Sequence, residues 1–415
     1  MNLPTLRNKK ILIVGYGVEG KATRDFLRKK FPEMQIGVTD AKKGTAYLKK
    51  QKEYDLAIRS PGTHPKQLTI PYTTATNIFF ANAQRPIIGI TGSKGKSTTS
   101  ALVTTMLKHG GFDARLVGNI GYPMLTELLR PVRKNTIYVC ELSSFQAMDL
   151  HYSPHISVIL NLYEEHLDFH GTRNAYWQAK EHLVSYATNH DYFVYSSLYP
   201  RLAKLARATK AKAIPIIKTL PFTLGPTHLK GKHNEANIRA AYTIARIMGI
   251  SEKHVAHAIE TFKPLPHRLE PIGTYRGIEF YNDSIATIPE AAMYAVEALG
   301  ARVQTLILGG FDRGIDFSRL AKFIARHKHI KTLILFAPSG KRIQVSLHRI
   351  TQRVPQKEYF AKNMQEAITI AFRETTPGTI CLLSPASPSF GLFTDYQDRG
   401  KQFIAWVKRL GRKQS

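Results

Sequence analysis

The chain has 415 residues, 43% of them hydrophobic, which predicts two or three globular domains and excludes an intrinsically disordered protein. Lysine and arginine number 59 against 30 acidic residues, and the net charge of +29 would attract polyanions, but no nucleic-acid recognition motif accompanies it. No apolar run reaches a membrane span, the N-terminus lacks a signal-peptide core, and the two cysteines cannot form a disulfide framework, so we expect a cytoplasmic protein without membrane spans.

The first predicted elements form a Rossmann-like half. Residues 9–23 read as a strand, a Gly15-x-Gly17-x-x-Gly20 turn and a helix, and a second strand over 35–39 ends at Asp40. On its own this motif suggests NAD, because an acidic residue follows about 20 places on. It can equally seat the phosphates of another nucleotide.

The most informative stretch follows a predicted domain boundary near residues 84–86. An apolar strand leads into the glycine-rich run Thr-Gly-Ser-Lys-Gly-Lys-Ser-Thr over 91–98 and then into a helix over 97–109. Such a loop points backbone N–H groups at phosphate oxygens. Lys96 would reach the β- and γ-phosphates, and Ser97 or Thr98 would hold Mg²⁺. The generic phosphate loop has glycine where Ile90 stands; the alternative is a lysine-rich surface turn, but the strand–loop–helix context favours the phosphate loop.

Polar side chains follow the next apolar strands. Glu141 comes directly after a strand over 136–140, and His166 lies in a Glu-Glu-His-Leu-Asp cluster after a strand over 156–160. Parallel α/β sheets bind ligands at the carboxyl ends of their strands, so both residues are candidate metal ligands. The alternatives are a solvated glutamate and a structural histidine. Lys180 lies in a helical region over 176–186 and, on residue type alone, reads as a solvated lysine.

A third segment repeats the alternation of strands and helices. Strands over 278–281, 305–308, 332–336 and 379–383 predict a mostly parallel sheet. The whole chain is therefore expected to be an α/β protein with three segments, over 1–85, 86–263 and 264–415.

Taken in order, the motifs of this chain resemble those of the Mur ligases, and the resemblance covers nearly the whole chain. The motifs are residues 91–98, Glu-Leu-Ser-Ser-Phe-Gln (141–146), Asn-Leu-Tyr-Glu-Glu-His-Leu-Asp (161–168), Gly-Lys-His-Asn-Glu-Ala-Asn (231–237), Pro-His-Arg-Leu-Glu (266–270) and Asn-Asp-Ser (282–284). The run over 141–146 and the closing Leu-Leu-Ser-Pro-Ala-Ser (382–387) favour the glutamate-adding branch of that family.

The resemblance implies three domains: a Rossmann-like, UDP-binding N-terminal domain over 1–85, a central phosphate-loop ATPase domain with a parallel sheet over 86–263, and a Rossmann-like C-terminal domain over 264–415. It also implies an ATP- and Mg²⁺-dependent, ADP-forming amide ligase of peptidoglycan precursor synthesis. Its substrates would be UDP-N-acetylmuramoyl-L-alanine, glutamate and ATP. An acyl phosphate forms on the substrate carboxylate, and the amine of glutamate, D-glutamate by default, then attacks it. We expect a monomer that has no specific nucleic-acid partner.

The resemblance also assigns roles residue by residue. The catalytic residues would be Lys96, His166 and Lys180. The ATP contacts would be Gly92, Ser93, Lys94, Gly95, Lys96, Ser97, Thr98, Asn237, Arg268 and Asp283. The metal ligands would be Ser97, Glu141, His166 and Lys180, the last as a carbamate. The UDP end of the substrate would meet Val18, Glu19, Asp40 and Lys42, and the muramoyl-alanine end Asn119, Ser143 and Gln146. The amino-acid pocket would contain Thr287, Arg313, Ser389 and Tyr396.

Two positions depart from the family pattern. Ile285 and Arg313 stand where lysines are usual around the incoming glutamate, and arginine is a planar clamp whereas lysine is a point charge. The same ligase chemistry with L-glutamate is therefore an alternative. A second alternative is a phosphate-loop NTPase that drives a polyanion-binding module. A third is a relative of folylpolyglutamate synthase, against which the N-terminal glycine turn and the run over 141–146 argue.

Overall fold

The computed structural model describes residues 1–41, 44, 46–163, 165–229, 231–351 and 354–412. Lys42, one of the predicted UDP contacts, lies outside the described residues. The chain divides into two compact units. The first comprises Met1–Thr227 and Ala236–Phe262, and the second comprises His228–Glu235 and Lys263–Ser415.

The first unit begins with a four-stranded parallel sheet. Its strands are β1 (Ile11–Val14), β2 (Ile36–Thr39), β3 (Leu56–Arg59) and β4 (Tyr72–Thr74), in the order β2-β1-β3-β4. Helix α1 (Val18–Lys30) follows β1, and α2 (Ala75–Asn82) follows β4. Every residue of β1 is buried, as expected for a strand covered on both faces. The predicted Rossmann-like half is therefore confirmed.

A second sheet of the same unit contains six parallel strands. They are β5 (Ile87–Thr91), β6 (Asp113–Gly118), β7 (Thr136–Glu141), β8 (Ile156–Ile159), β9 (Tyr192–Tyr195) and β10 (Lys212–Pro215). Their order is β10-β9-β8-β5-β7-β6, so the chain passes from β5 to the edge strand β6, returns to β7, and then adds β8, β9 and β10 on the other side of β5. Such a switch in direction opens a crevice at the carboxyl ends of the strands, and the loop after β5 lies there.

Helices connect these strands or follow the last of them. They are α3 (Lys96–His109), α4 (Met124–Glu127), α5 (Ser144–Ala147), α6 (Leu167–His170), α7 (Arg173–Glu181), α8 (Pro200–Ala208), α9 (Lys232–Ile247) and α10 (Glu252–Thr261). The predicted helix over 97–109 is α3 to within one residue. Helix α3 is buried along most of its length, because the sheet and α10 enclose it.

The second unit is built on a mixed six-stranded sheet. Its strands are β11 (Glu270–Tyr275), β12 (Ile278–Asn282), β13 (Val303–Gly309), β14 (Thr332–Phe336), β15 (Lys357–Phe360) and β16 (Ile380–Leu383). The order is β11-β12-β16-β13-β14-β15, and only the β11–β12 pair, at one edge, is antiparallel. The helices are α11 (Pro289–Leu299), α12 (Ser318–Arg326), α13 (Ser339–Ile350), α14 (Met364–Glu374) and α15 (Tyr396–Gly411).

Alternating side chains of the central strands form one apolar cluster on each face of this sheet. Leu306 and Leu333 belong to the first cluster, and Ile307 and Ile334 belong to the second. This alternation is what a strand buried on both faces requires. The predicted α/β fold class is thus confirmed. Both cysteines are free and buried in strands, and no helix among the described residues is long and apolar enough to cross a membrane.

Candidate active site

The loop between β5 and α3 has a backbone that only glycine adopts without strain. Gly92 and Gly95 have φ values of 152° and 81°. A Cβ on Gly95 would lie 2.1 Å from Oδ1 of Asn237, one of the predicted ATP contacts. The loop and Asn237 are therefore packed closely together, as the predicted ATP site requires.

Hydrogen bonds hold this loop against the segment that follows β8. The side-chain amide of Asn161 accepts from the backbone N–H of Lys94 at 2.7 Å and donates to its carbonyl at 2.9 Å. The hydroxyl of Ser93 donates to the carbonyl of Tyr163 at 3.1 Å, and Lys94 forms an ion pair with Glu165. Two adjacent strand ends thus hold the loop in one shape, and the sequence had assigned no such role to Asn161.

Two lysines converge on one carbonyl oxygen of the loop. Nζ of Lys96 donates to the carbonyl of Gly92 at 2.9 Å, and Nζ of Lys180 donates to the same carbonyl at 3.0 Å. Lys180 is only 1% exposed and lies 4.5 Å from the ring centroid of Tyr176. Burial and then the charge of Lys96 lower the pKa of Lys180 well below its ordinary value. The reading of Lys180 as a solvated lysine is wrong.

Glu141 ends β7 beside the strand that leads into the loop. Ile90 of β5 is its register partner, and the Glu141 side chain is 1% exposed. Oε1 of Glu141 accepts from Nδ2 of Asn119 at 2.9 Å, whereas Oε2 is buried and has no hydrogen-bond partner among the described residues. A buried carboxylate oxygen that accepts no hydrogen bond is a suitable ligand for a hard cation such as Mg²⁺.

His166 precedes α6 in a left-handed conformation, with φ of 56°. Its ring centroid lies 4.9 Å from that of Phe145. Burial, assisted by the charges of Lys180 and Lys96 and opposed by Glu165, lowers the pKa of His166, which favours the neutral ring that a metal ligand needs. Ser97 and Thr98 are buried in the first turn of α3. Within the described ranges, no three His, Cys, Asp or Glu side chains are arranged to hold a metal by themselves.

The glycine turn after β1 has the close contact between turn and helix that its motif predicts. A Cβ on Gly20 would lie 2.0 Å from the carbonyl oxygen of Gly15. Asp40 fixes the turn, since its Oδ2 accepts from the backbone N–H of Tyr16 at 2.6 Å. Val18, the first residue of α1, is 78% exposed and therefore accessible to a ligand bound at this turn.

Helix α5 joins the predicted UDP and muramoyl-alanine residues. Ser143 and Gln146 form a capping box at its N-terminus. Nε2 of Gln146 then donates to Oε2 of Glu19 in α1 at 3.1 Å. Burial raises the pKa of Glu19 to about 7, although Gln146 and Arg59 oppose the rise. Two residues predicted for different parts of the substrate are therefore in contact.

The sequence reasoning missed two polar residues near α5. Arg59 ends β3 and is fully buried; its Nε donates to Oδ2 of Asp149 at 2.6 Å, and its Nη2 donates to the carbonyl of Phe145 at 3.1 Å. The sequence signal for a buried arginine was its position at the end of the apolar run Leu-Ala-Ile over 56–58. Nε2 of His170 lies 3.0 Å from Oγ of Ser144, and burial, followed by neighbouring cations, lowers the pKa of His170 to about 4.

In the second unit, Asp283 follows β12 and is buried. Its Oδ1 accepts from the backbone N–H of Leu269 at 3.1 Å, and its Oδ2 accepts from Oγ of Ser384 at 2.8 Å. Burial raises the pKa of Asp283 to about 6. Arg268, the other predicted nucleotide contact, stands between two residues with positive φ, which points to a backbone held in an unusual shape.

The four predicted amino-acid contacts also lie in the second unit. Ser389 is buried, and Thr287 and Tyr396 are half-buried. Arg313 is exposed, and its guanidinium lies 5.8 Å from the ring centroid of Phe390. Ile285 stands where lysine is usual in the family, and its backbone N–H donates to the carbonyl of His267 at 3.1 Å.

Comparisons with known proteins show the family and the fold of the chain. Residues 90–222 match the Mur ligase middle domain, and residues 267–387 match the Mur ligase glutamate ligase domain. The MurF ligase of Thermotoga maritima, solved in complex with ADP, superposes with a TM-score of 0.64 at 15% identity, over 99% of this chain and 97% of its own. MurC of the same organism gives a TM-score of 0.64 at 17% identity, over 97% and 100%. The chain belongs to the Mur ligase family.

Relatives of higher identity come from one branch of that family. The UDP-N-acetylmuramoylalanine–D-glutamate ligase of Streptococcus mutans serotype c is 31% identical over 454 residues, which cover 99% of each chain. The ligase of the same name from Enterococcus hirae is 34% identical over 388 residues, which cover 86% of this chain and 83% of the relative. This similarity confirms the resemblance to the glutamate-adding branch.

Proposed function

We propose that this protein is the ATP-dependent, ADP-forming ligase that adds glutamate to UDP-N-acetylmuramoyl-L-alanine in peptidoglycan precursor synthesis. The observation that carries the proposal is the convergence of Lys96 and Lys180 on the phosphate loop, beside the buried carboxylate of Glu141. The names of its relatives support the substrates and D-glutamate as the added amino acid. We further propose a cytoplasmic monomer with the three domains 1–85, 86–263 and 264–415.

Each group of site residues has a task in this reaction. The loop N–H groups and Lys96 would hold the ATP phosphates and stabilise the charge that develops as the γ-phosphoryl group moves to the substrate carboxylate. Glu19, Gln146 and Asn119 would orient the sugar nucleotide. Asn237 is the proposed adenosine contact of the first unit, and Arg268 and Asp283 are proposed nucleotide contacts of the second.

We propose that Ser97, Glu141 and His166 are ligands of Mg²⁺. Oε2 of Glu141, which has no hydrogen-bond partner among the described residues, and the neutral form of His166 support the proposal. When bound, Mg²⁺ would neutralise phosphate charge. We propose that Lys180 completes the set as a carbamate. Its lowered pKa makes the neutral amine more available; the amine adds to CO₂, a nitrogen–carbon bond forms, and one proton is released.

Two residues of the proposed amino-acid pocket bear on whether the added glutamate is the D- or the L-enantiomer. Ile285 removes a cation and Arg313 replaces a point charge by a planar clamp, so the two carboxylates of glutamate would be held differently from the family's common form. These two substitutions favour L-glutamate as a second candidate substrate.

The test is product mass analysis. The purified protein is incubated with UDP-N-acetylmuramoyl-L-alanine, ATP and either D- or L-glutamate, and ADP release is followed in parallel. We expect an amide product with one enantiomer, and ADP release only when both co-substrates are present. Lys96→Ala should abolish turnover while circular dichroism stays unchanged, and Lys108→Ala, at the exposed end of the same helix, is the matched control. Absence of product with both enantiomers would refute the proposal, and ADP release stimulated by DNA or RNA would support the NTPase alternative.

A further inference from the structure

A buried arginine in the second unit has no role in the reaction as described so far. Arg399 lies in the first turns of α15 and is fully buried. Its Nε donates to Oγ of Ser284 at 3.0 Å, its Nη2 donates to the carbonyl of Ser284 at 2.8 Å, and its Nη1 donates to the carbonyl of Ser387 at 3.0 Å. All three hydrogen bonds end on neutral oxygens, so the guanidinium gains no direct ion pair from them.

These contacts join three strand ends and one helix. Ser284 follows β12, and Ser387 follows β16. Gly310 follows β13, and a Cβ there would lie 3.2 Å from Nη1 of Arg399. Oγ of Ser284 also donates to the carbonyl of Tyr396 at 2.8 Å. The Arg399 guanidinium therefore bonds α15 to the segments after β12 and β16 and lies against the segment after β13.

Those four segments carry the predicted amino-acid pocket. Thr287 is three residues after Ser284, Arg313 is three residues after Gly310, and Ser389 is two residues after Ser387. Tyr396 is one turn before Arg399 on the same helix. The strands are held in place by the sheet, so a shift of the guanidinium would act on the segments beyond the strand ends. Such a shift would therefore move all four pocket residues.

We propose that Arg399 is the positioning residue of the glutamate pocket, so that its planar fork sets the distance between the segments that hold the two carboxylates of the incoming amino acid. The inference rests on the proposed glutamate ligase activity. Only a fork with donors in fixed directions can reach a hydroxyl and two carbonyls together, whereas a lysine ammonium, on a flexible stem, cannot hold the same three acceptors in the same geometry.

A structural role alone would give a different result from a positioning role. Loss of stability lowers the concentration of active enzyme, which reduces kcat and leaves each KM unchanged. Misplacement of the pocket raises the KM for glutamate and leaves the KM for the sugar nucleotide, whose predicted contacts are all in the first unit.

The experiment compares Arg399→Lys with the wild-type enzyme. We expect the KM for glutamate to rise about tenfold or more, the change that corresponds to the loss of about one net hydrogen bond, with the sugar-nucleotide KM unchanged. Arg409→Lys, an exposed arginine on the same helix, should behave as wild type. Equal KM values for glutamate in Arg399→Lys and wild type would overturn the inference.

A second variant keeps the inference testable if Arg399→Lys does not fold. Ser284→Ala removes the hydroxyl that accepts from Nε and donates to the carbonyl of Tyr396, while the bond from Nη2 to the Ser284 backbone carbonyl remains. Its KM for glutamate should rise in the same direction by a smaller factor, and an unchanged value would refute the positioning role. A wild-type enzyme that forms no glutamate product would instead refute the proposed function, so the two failures are distinguishable.

Discussion

Replacing Glu19 by glutamine should make the first unit more stable, by an amount that depends on pH. Burial raises the pKa of Glu19 from 4.5 to about 7. The folded chain then holds the proton more tightly than the unfolded chain, so stability is lost as pH rises from 4.5 to 7 and the loss is complete above 7. At about 1.36 kcal/mol per pH unit this rise corresponds to at most about 3 kcal/mol. Glutamine cannot ionise, and its side-chain oxygen can still accept from Gln146.

Tryptophan fluorescence can follow this effect in the first unit alone. The chain has two tryptophans, of which Trp177 is in the first unit and Trp406 is in the second. In a Trp406→Phe background, urea unfolding of Glu19→Gln and of the Glu19 parent is measured between pH 4.5 and 8. Both chains carry the same remaining charges, so the difference in free energy of unfolding isolates Glu19.

The difference between the two chains should be smallest near pH 4.5 and should grow to about 3 kcal/mol above pH 7. Glu33→Gln, at an exposed position of the same domain, provides a control that should give no such growth. A difference between Glu19→Gln and its parent that stays constant across this range would refute the reasoning, because it would show that folding leaves the pKa of Glu19 unchanged.

Three further predictions concern the phosphate loop, Arg59 and Lys180. Gly95→Ala should weaken ATP binding, measured by calorimetry, at least tenfold, because the new Cβ would lie 2.1 Å from Oδ1 of Asn237. Gly111→Ala is the control: the φ of Gly111 is 84°, but no atom lies within 4 Å of a Cβ there, so the affinity should not change. Arg59→Met should cost about 3–5 kcal/mol in urea unfolding, because it removes the cation that pairs with Asp149. Arg24→Met, whose partner Asp25 is exposed, should cost less than about 1 kcal/mol. Lys180→Ala should lose turnover and regain part of it when short carboxylic acids are added. In ¹³C-labelled bicarbonate the wild type should show a carbamate signal that the variant lacks. A signal that persists in the variant would place the carbamate elsewhere.

The features that the sequence predicted well are local. The phosphate loop, the glycine turn and the polar residues after β7 and β8 are each determined by a few neighbouring residues, because a strand end, a turn and a helix start have their own residue preferences. Helix α3 and the central strands accordingly lie where the pattern predicted them. The edge strand β11 was missed because it pairs antiparallel and is partly exposed, so it lacks the apolar run of a buried strand.

The features that the sequence did not predict depend on distant partners. Arg59 meets Asp149 across 90 positions, and Arg399 meets Ser284 across 115. Single-sequence periodicity carries no information about such pairs, and a charged residue is assigned to the surface by default. Lys180 shows the same limit, since its place in a helix was predicted but its burial was not.

The convergence of Lys96 and Lys180 explains why a carbamate suits this site. Two ammonium groups on one carbonyl oxygen repel each other, and burial strengthens the repulsion because little water screens it. The cost falls if Lys180 releases its proton, as the direction of its pKa indicates. It falls further if the neutral amine then takes up CO₂, because the product is an anion and its interaction with Lys96 becomes attractive. The same geometry that disfavours a second cation beside the phosphate loop therefore favours the anionic metal ligand that the proposed reaction requires.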